Sequence, residues 1–384
     1  MPLAGNSWGP AARWLGLGTL LTGALTLGVA PVAMAGSVPL VSPKPAPTVG
    51  FDGVVYASTH VGGTVYLGGN FTHAIVGGKP VARKRLAAVD ARTGKLLPWA
   101  PLADDTVMAV TAAGSSLFAT GEFGTVSGQP RAGLAAIDLR SGAVGPLRHT
   151  VRGTGQALAV GDGRLYLGGS FRGVDGRAVR NLAAFRLSDG ALDGGFRGGA
   201  DGKVRVLATA GDRLYAGGDF RGRLAALRLG DGRPDASFRP ATPYPVMALT
   251  VNTGRVYAAL AGPGGRVAAY RPDGSLAWSS VTDGDVQAIT YLNGAVYAGG
   301  HFNVACPRPS RSATAWCPAR LRSQPKLAAW NPATGALLDW NPHSNGRWGV
   351  LTLSINPATS AIAVGGDFTA FGGSDRARFA QFTS

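Results

Sequence analysis

The sequence predicts an all-β fold of seven tandem units, each of four antiparallel strands, and three observations carry that prediction. A motif of three mostly hydrophobic residues, Gly-Gly, any residue and Phe begins at Val65, Leu117, Leu165, Leu214, Val256, Val296 and Ile362. Three other landmarks recur with it in fixed order. Gly is abundant at 59 residues without a collagen period, while hydrophobic residues make up 45%. That composition belongs to short strands joined by tight turns.

Each unit opens on a short apolar run. These runs read VVYAS near 55, VMAV at 107, ALAV at 157, VRVLA at 204, VMAL at 246, VQAI at 286 and VLTL at 350. Turns such as GDG at 161–163 and NG at 293–294 lead from the run into the Gly-Gly motif. Asp-Gly and Asn-Gly tolerate the positive φ of a tight hairpin, so the two strands run antiparallel. The motif itself is the second strand. It reads VYLGGNF at 65, with one Gly lost in LFATGEF at 117 and the Phe lost in VYAALAG at 256.

The third strand is LAAVD at 86, returning as LAAID at 134, LAAFR at 182, LAALR at 224, VAAYR at 267, LAAWN at 327 and FAQFT at 379. A turn and a bulky residue follow, as in TGKLLPW ending at Trp99 and TGALLDW ending at Trp340, and mark a fourth strand. Units of roughly 40–50 residues repeated in tandem are the pattern of a β-propeller. Strands apolar on both faces fit blades sandwiched between neighbours. A pair of β-sandwich domains would instead show clean in/out alternation.

The ends complete the count. The seventh copy stops at FAQFTS and lacks its outer strand, while residues 39–58 carry a spare segment. The expected N-terminal strand therefore completes the last blade and removes a free sheet edge. Residues 36–384 are then one seven-bladed β-propeller domain, with an insertion at 303–322 in the sixth blade. The repeat resembles that of bacterial exported propellers of the delta-sixty type, kelch-like in its Gly-Gly strand. The resemblance spans nearly the whole chain after residue 35. It implies a propeller and little else, since many members have no assigned activity and no catalytic residue carries over. The Asp of Leu-Ala-Ala-x-Asp survives only at Asp90 and Asp138.

Residues 1–35 read as a secretory signal peptide. One charge, Arg13, precedes an apolar run, and Ala33-Met34-Ala35 offers small residues for cleavage after Ala35. The run is short and broken by Gly and Pro, which disfavours a membrane span. An exported protein is expected, and a monomer. Its only cysteines, Cys306 and Cys317, are expected to form a disulfide. The net charge of +16 suits an anionic partner.

No set of residues has the spacing of a known catalytic or metal site. The Gly-Gly pair is followed by Phe and no helix, so it reads as packing rather than as a phosphate cradle. The five histidines lack metal-ligand spacing, and no cofactor is expected. Asp104, Asp105, Asp283 and Asp285 precede inner strands and, with His301, are the candidates for a polysaccharide-acting hydrolase or lyase. Solvated turn acids are the alternative.

The clearest pattern is basic. Arg83, Lys84, Arg85, Arg131, Arg177, Arg180, Arg221, Arg223, Arg266, Lys326, Arg376 and Arg378 precede the third strands, on loops that share one face. Guanidinium groups there suit sulfate, phosphate or carboxylate. The alternative is local pairing, for example of Arg221 or Arg223 with Asp219. The leading expectation is a non-enzymatic binding propeller for an anionic or glycan cell-surface partner. Assembly with another exported protein is a further reading. Specific nucleic-acid recognition is not expected.

Overall fold

The computed structural model describes residues 38–384, so the signal-peptide reading of 1–35 lies outside the described residues. The repeated landmarks form strands in the expected order. Seven principal antiparallel sheets result. Their first strands are Val55–Val61, Val107–Ala113, Val151–Gly161, Val204–Ala210, Val246–Asn252, Val286–Leu292 and Val350–Asn356. Their second strands are the Gly-Gly motifs, from Thr64–Gly69 to Ala361–Gly366. Their third strands are the Leu-Ala-Ala segments, from Leu86–Asp90 to Phe379–Phe382. Each first strand packs against the first strands of two other sheets, and that of the seventh sheet packs against that of the first. The hydrophobic core lies between successive sheets, where strands such as Leu134–Asp138 are buried on both faces.

The expected fourth strand forms fully only in the fifth sheet, as Leu276–Val281. Elsewhere it is reduced to single bridges, Val89 to Leu96, Ile137 to Val144, Phe185 to Leu192, Leu227 to Pro234 and Trp330 to Leu337. Pro98 and Pro146 stand two residues beyond the first two of these bridges. Proline has no N–H with which to extend a ladder. The N-terminal segment meets the last sheet in the same way. The Ser42 and Ala46 amides donate to Thr383 O (2.8 Å) and Gln381 O (2.7 Å).

Small accessory strands were not expected. The loop between second and third strands becomes a hairpin in several sheets, such as His73–Val76 with Lys79–Ala82 and Thr125–Val126 with Gln129–Pro130. The glycine pair packs as expected, with a separate task for each glycine. A Cβ on Gly68 would stand 2.6 Å from Val107 of the next sheet, and one on Gly365 would stand 2.6 Å from Val55 of the first sheet. A Cβ on the second glycine, as at Gly69, Gly121 or Gly218, would collide with Val54 O, Thr106 O or Lys203 O.

Among the described residues no helix is long and apolar enough to cross a membrane. Cys306 and Cys317 form a disulfide.

Candidate functional site

Every first strand carries a register shift at its second residue, and the long strand of the third sheet carries another at its sixth, the position that aligns with the other six. A β-bulge inserts one unpaired residue and re-aims its side chain. The seven residues so placed are Tyr56, Met108, Gln156, Arg205, Met247, Gln287 and Leu351. All seven are half-buried. Tyr56, Met108, Gln156 and Arg205 line a cavity of about 160 Å³ bounded by first strands of several sheets. Burial raises the Tyr56 phenol pKa, and the nearby charges of Glu122 and Asp367 raise it further. A bulge leaves no trace in a hydrophobic pattern, and the sequence reading missed this set. The carbonyl pressed against the second glycine of the motif lies two residues before the bulge, so the repeated Gly was its one signal.

The loops before the first strands reach the same end of the sheets. Here the expected aspartates have a recurring use. Asp104 Oδ1 accepts the Gly124 and Thr125 amides (2.9 and 3.0 Å), and Asp283 Oδ1 accepts those of Asn303 and Val304 (2.7 and 2.9 Å). Asp52 does the same with Thr72 and His73, Asp201 with Arg221, and Asn345 with Thr369 and Ala370. Partial burial alone would raise the Asp104 pKa, but these hydrogen bonds outweigh it and hold the carboxyl below its ordinary value. Asp105 accepts the Thr106 amide and Asp285 that of Gly262. All four candidate acids thus accept backbone amides. His301 is exposed, with its ring centroid 5.5 Å from that of exposed Trp348, whose ring also lies 5.3 Å from the Arg347 guanidinium.

The twelve basic residues also lie toward this end of their sheets. None is within ion-pair distance of a carboxylate among the described residues. Asp219 pairs with Arg205 at 2.8 Å, rather than with Arg221 or Arg223. Several guanidinium groups serve backbone carbonyls instead. Arg83 donates to Leu97 O and Arg131 to Gly145 O, both at 2.7 Å, each bracing the segment that follows its third strand. Arg376 donates to Ala46 O and Pro45 O, the N-terminal counterpart of those segments. Arg223 reaches Thr242 O at 3.4 Å.

Arg266 is buried under the insertion and donates to Ala313 O and Thr314 O. Lys326 is buried and burial lowers its pKa, against the nearby charges of Asp283 and Asp367. Arg85 and Arg378 are half-buried, with φ of 65° and 66°. Lys84, Arg177, Arg180 and Arg221 are exposed. Among the described residues no cluster of three or more His, Cys, Asp or Glu side chains could hold a metal ion.

No family model matches the chain, and no curated protein matches it. Solved structures do. The chain is similar to the WD40 β-propeller domain of Doa1, with a TM-score of 0.59 and 11% identity over 90% of this chain and 97% of that one. It is also similar to the computationally designed Ika8 protein, with a TM-score of 0.54 and 14% identity over 90% of this chain and 100% of that one. At such identities the likeness establishes the fold alone, an all-β, propeller-like one.

Proposed function

We propose that the chain is an exported, non-enzymatic binding propeller of the delta-sixty type that recognises an anionic partner, such as an acidic cell-surface glycan. In this reading residues 36–384 form seven blades closed by the N-terminal segment, 1–35 are a cleaved signal, and the mature protein is a monomer. One observation carries the binding assignment: twelve basic side chains toward one end of the sheets have no carboxylate within ion-pair distance among the described residues. Basic groups that are not held in ion pairs, here interspersed with hydrogen-bonded aspartates, attract anions and steer them inward.

The exposed Lys84, Arg177, Arg180 and Arg221 are the contact residues, because their side chains are not committed to carbonyls. Arg83, Arg131, Arg266 and Arg376 set the field and hold the scaffold. The use of Asp104 and Asp283 as loop fasteners favours binding over glycoside hydrolysis, which needs two carboxyl groups free to act on one bond.

The test is binding to polygalacturonate as a function of salt. Affinity is expected to fall steeply with ionic strength. It is also expected to drop about tenfold when Lys84, Arg177, Arg180 and Arg221 are together replaced by Gln, with the melting temperature unchanged. Unaltered affinity in that variant overturns the assignment.

A further inference from the structure

The internal repeat exposes a site where the chain departs from its own rule, apart from the seventh sheet, whose motif carries Ala363 in place of the aromatic residue. In five sheets the motif's aromatic residue meets an aromatic from the segment after the third strand. The pairs are Tyr66 with Trp99, Tyr166 with Phe196, Tyr215 with Phe238, Tyr257 with Trp278 and Tyr297 with Trp340, at centroid distances of 5.0–6.2 Å. These rings narrow the groove toward the next sheet and fasten it. Tyr66 Oη donates to Leu139 O, Trp99 Nε1 to Asp138 O and Trp278 Nε1 to Pro332 O.

The second sheet breaks this pattern twice. Its motif carries Phe118, which has no hydroxyl to offer the equivalent carbonyl of Leu187. Leu147 stands where Trp99 stands one unit earlier. The equivalence is geometric as well as sequential, since Trp99 lies against the turn glycine Gly142 and Leu147 lies against the corresponding Gly190.

The consequence is space. The groove beside Trp99 has a volume of about 340 Å³, and the one beside Leu147 about 480 Å³. Its walls include Phe118, Ala136, Leu147, Leu165, Phe185 and Leu187. A site of this size and character is typical for a small ligand. The charge at its rim is one-sided. Arg186 is paired with Asp189 at 2.8 Å, and His149 is spent on Asp175 (2.6 Å) and Gly190 O (2.7 Å). Arg148 is exposed and forms no ion pair among the described residues, and Arg131 lies close enough to sense its charge.

We propose that this groove between the second and third sheets binds a small aromatic carboxylate. The ring takes the place that the chain's own Trp or Phe takes in the sister grooves, and the carboxylate pairs with the Arg148 guanidinium. None of the contact residues of the anionic-partner face, Lys84, Arg177, Arg180 and Arg221, lines this groove, so either assignment stands without the other.

Phenylacetate is the probe, with phenylethanol as its neutral analogue and acetate as the ringless one. Isothermal titration should give saturable binding of phenylacetate at one site per chain and no saturable binding of acetate. Leu147→Trp narrows the groove as Trp99 narrows its own, and should weaken phenylacetate at least about tenfold. Arg148→Gln should weaken phenylacetate by about tenfold while leaving phenylethanol within about twofold, since only the charged hydrogen bond is lost. The melting curves of both variants check that they fold. Absence of saturable phenylacetate binding overturns the proposal. So does a folded Leu147→Trp that binds like the parent, or an Arg148→Gln that loses both ligands equally.

Discussion

The two glycines of each motif look interchangeable in the sequence and meet different obstacles in the fold. The first faces a valine side chain of the next sheet, and the second faces a backbone carbonyl of its own sheet. A side chain can shift by a rotamer, whereas a carbonyl held in a bulged ladder cannot. Gly68→Ala is therefore expected to cost about 1–3 kcal/mol, the usual range for overpacking, and Gly69→Ala to cost clearly more. Urea unfolding of the two variants checks the order, and equal costs would remove the distinction. The arginines make a parallel point. Arg83 and Arg131 share a sequence position with Arg221, yet only the first two are buried on carbonyls. The partner is a backbone oxygen fourteen residues away, which no side-chain pattern records.

At the scale of strands and loops, the repeated landmarks made the second and third strands legible almost to the residue, because apolar runs bounded by turns specify short buried strands. The outer strand was over-read. A bulky residue after a turn marks where a side chain narrows the next groove, as Trp99 does, but Pro98 stops the ladder that would make the segment a strand. The accessory hairpins are hard to see in the sequence because most of their strands are only two residues long, as at Thr125–Val126 and Ala370–Phe371. What fastens them is a side chain before the first strand, an aspartate as at Asp104 or, in the seventh sheet, Asn345. Asp104 accepts two amides at the start of its hairpin, so Asp104→Ala should release Thr125–Val126 and Gln129–Pro130. Hydrogen exchange at Gly124 and Thr125 should accelerate strongly, while Ala119 in the neighbouring strand stays protected. Unchanged exchange at Gly124 would show that the carboxylate is not the fastener.

For the molecule as a whole, the contact between the first and last sheets is where a chain of repeats must recognise its own beginning, and its chemistry is distinctive. Ser58 Oγ meets Thr352 Oγ1 at 3.2 Å, His60 Nδ1 meets Ser354 Oγ at 3.1 Å, and Asn356 Nδ2 donates to Gly62 O at 3.0 Å. This polar ladder lies between two first strands that are nearly three hundred residues apart in sequence. Burial lowers the His60 pKa from 6.5 to about 4, because the imidazolium would lose its hydration there. The folded value is below the unfolded one, so His60 contributes its full stability above pH 6.5. That contribution is lost as pH falls from 6.5 through 4, when the unfolded chain takes up a proton that the native state refuses. The ceiling on the effect is about 3 kcal/mol. Asp52 acts in a separate window. Burial would raise its pKa, but hydrogen bonds from Thr72 and His73 outweigh that and hold it at about 2, so its contribution is lost only below pH 3.8. Thermal melts between pH 7.5 and 4 should therefore decline in the parent protein and decline less in His60→Gln, which stays neutral throughout. If both decline in parallel, the acid sensitivity lies outside the contact between the first and last sheets.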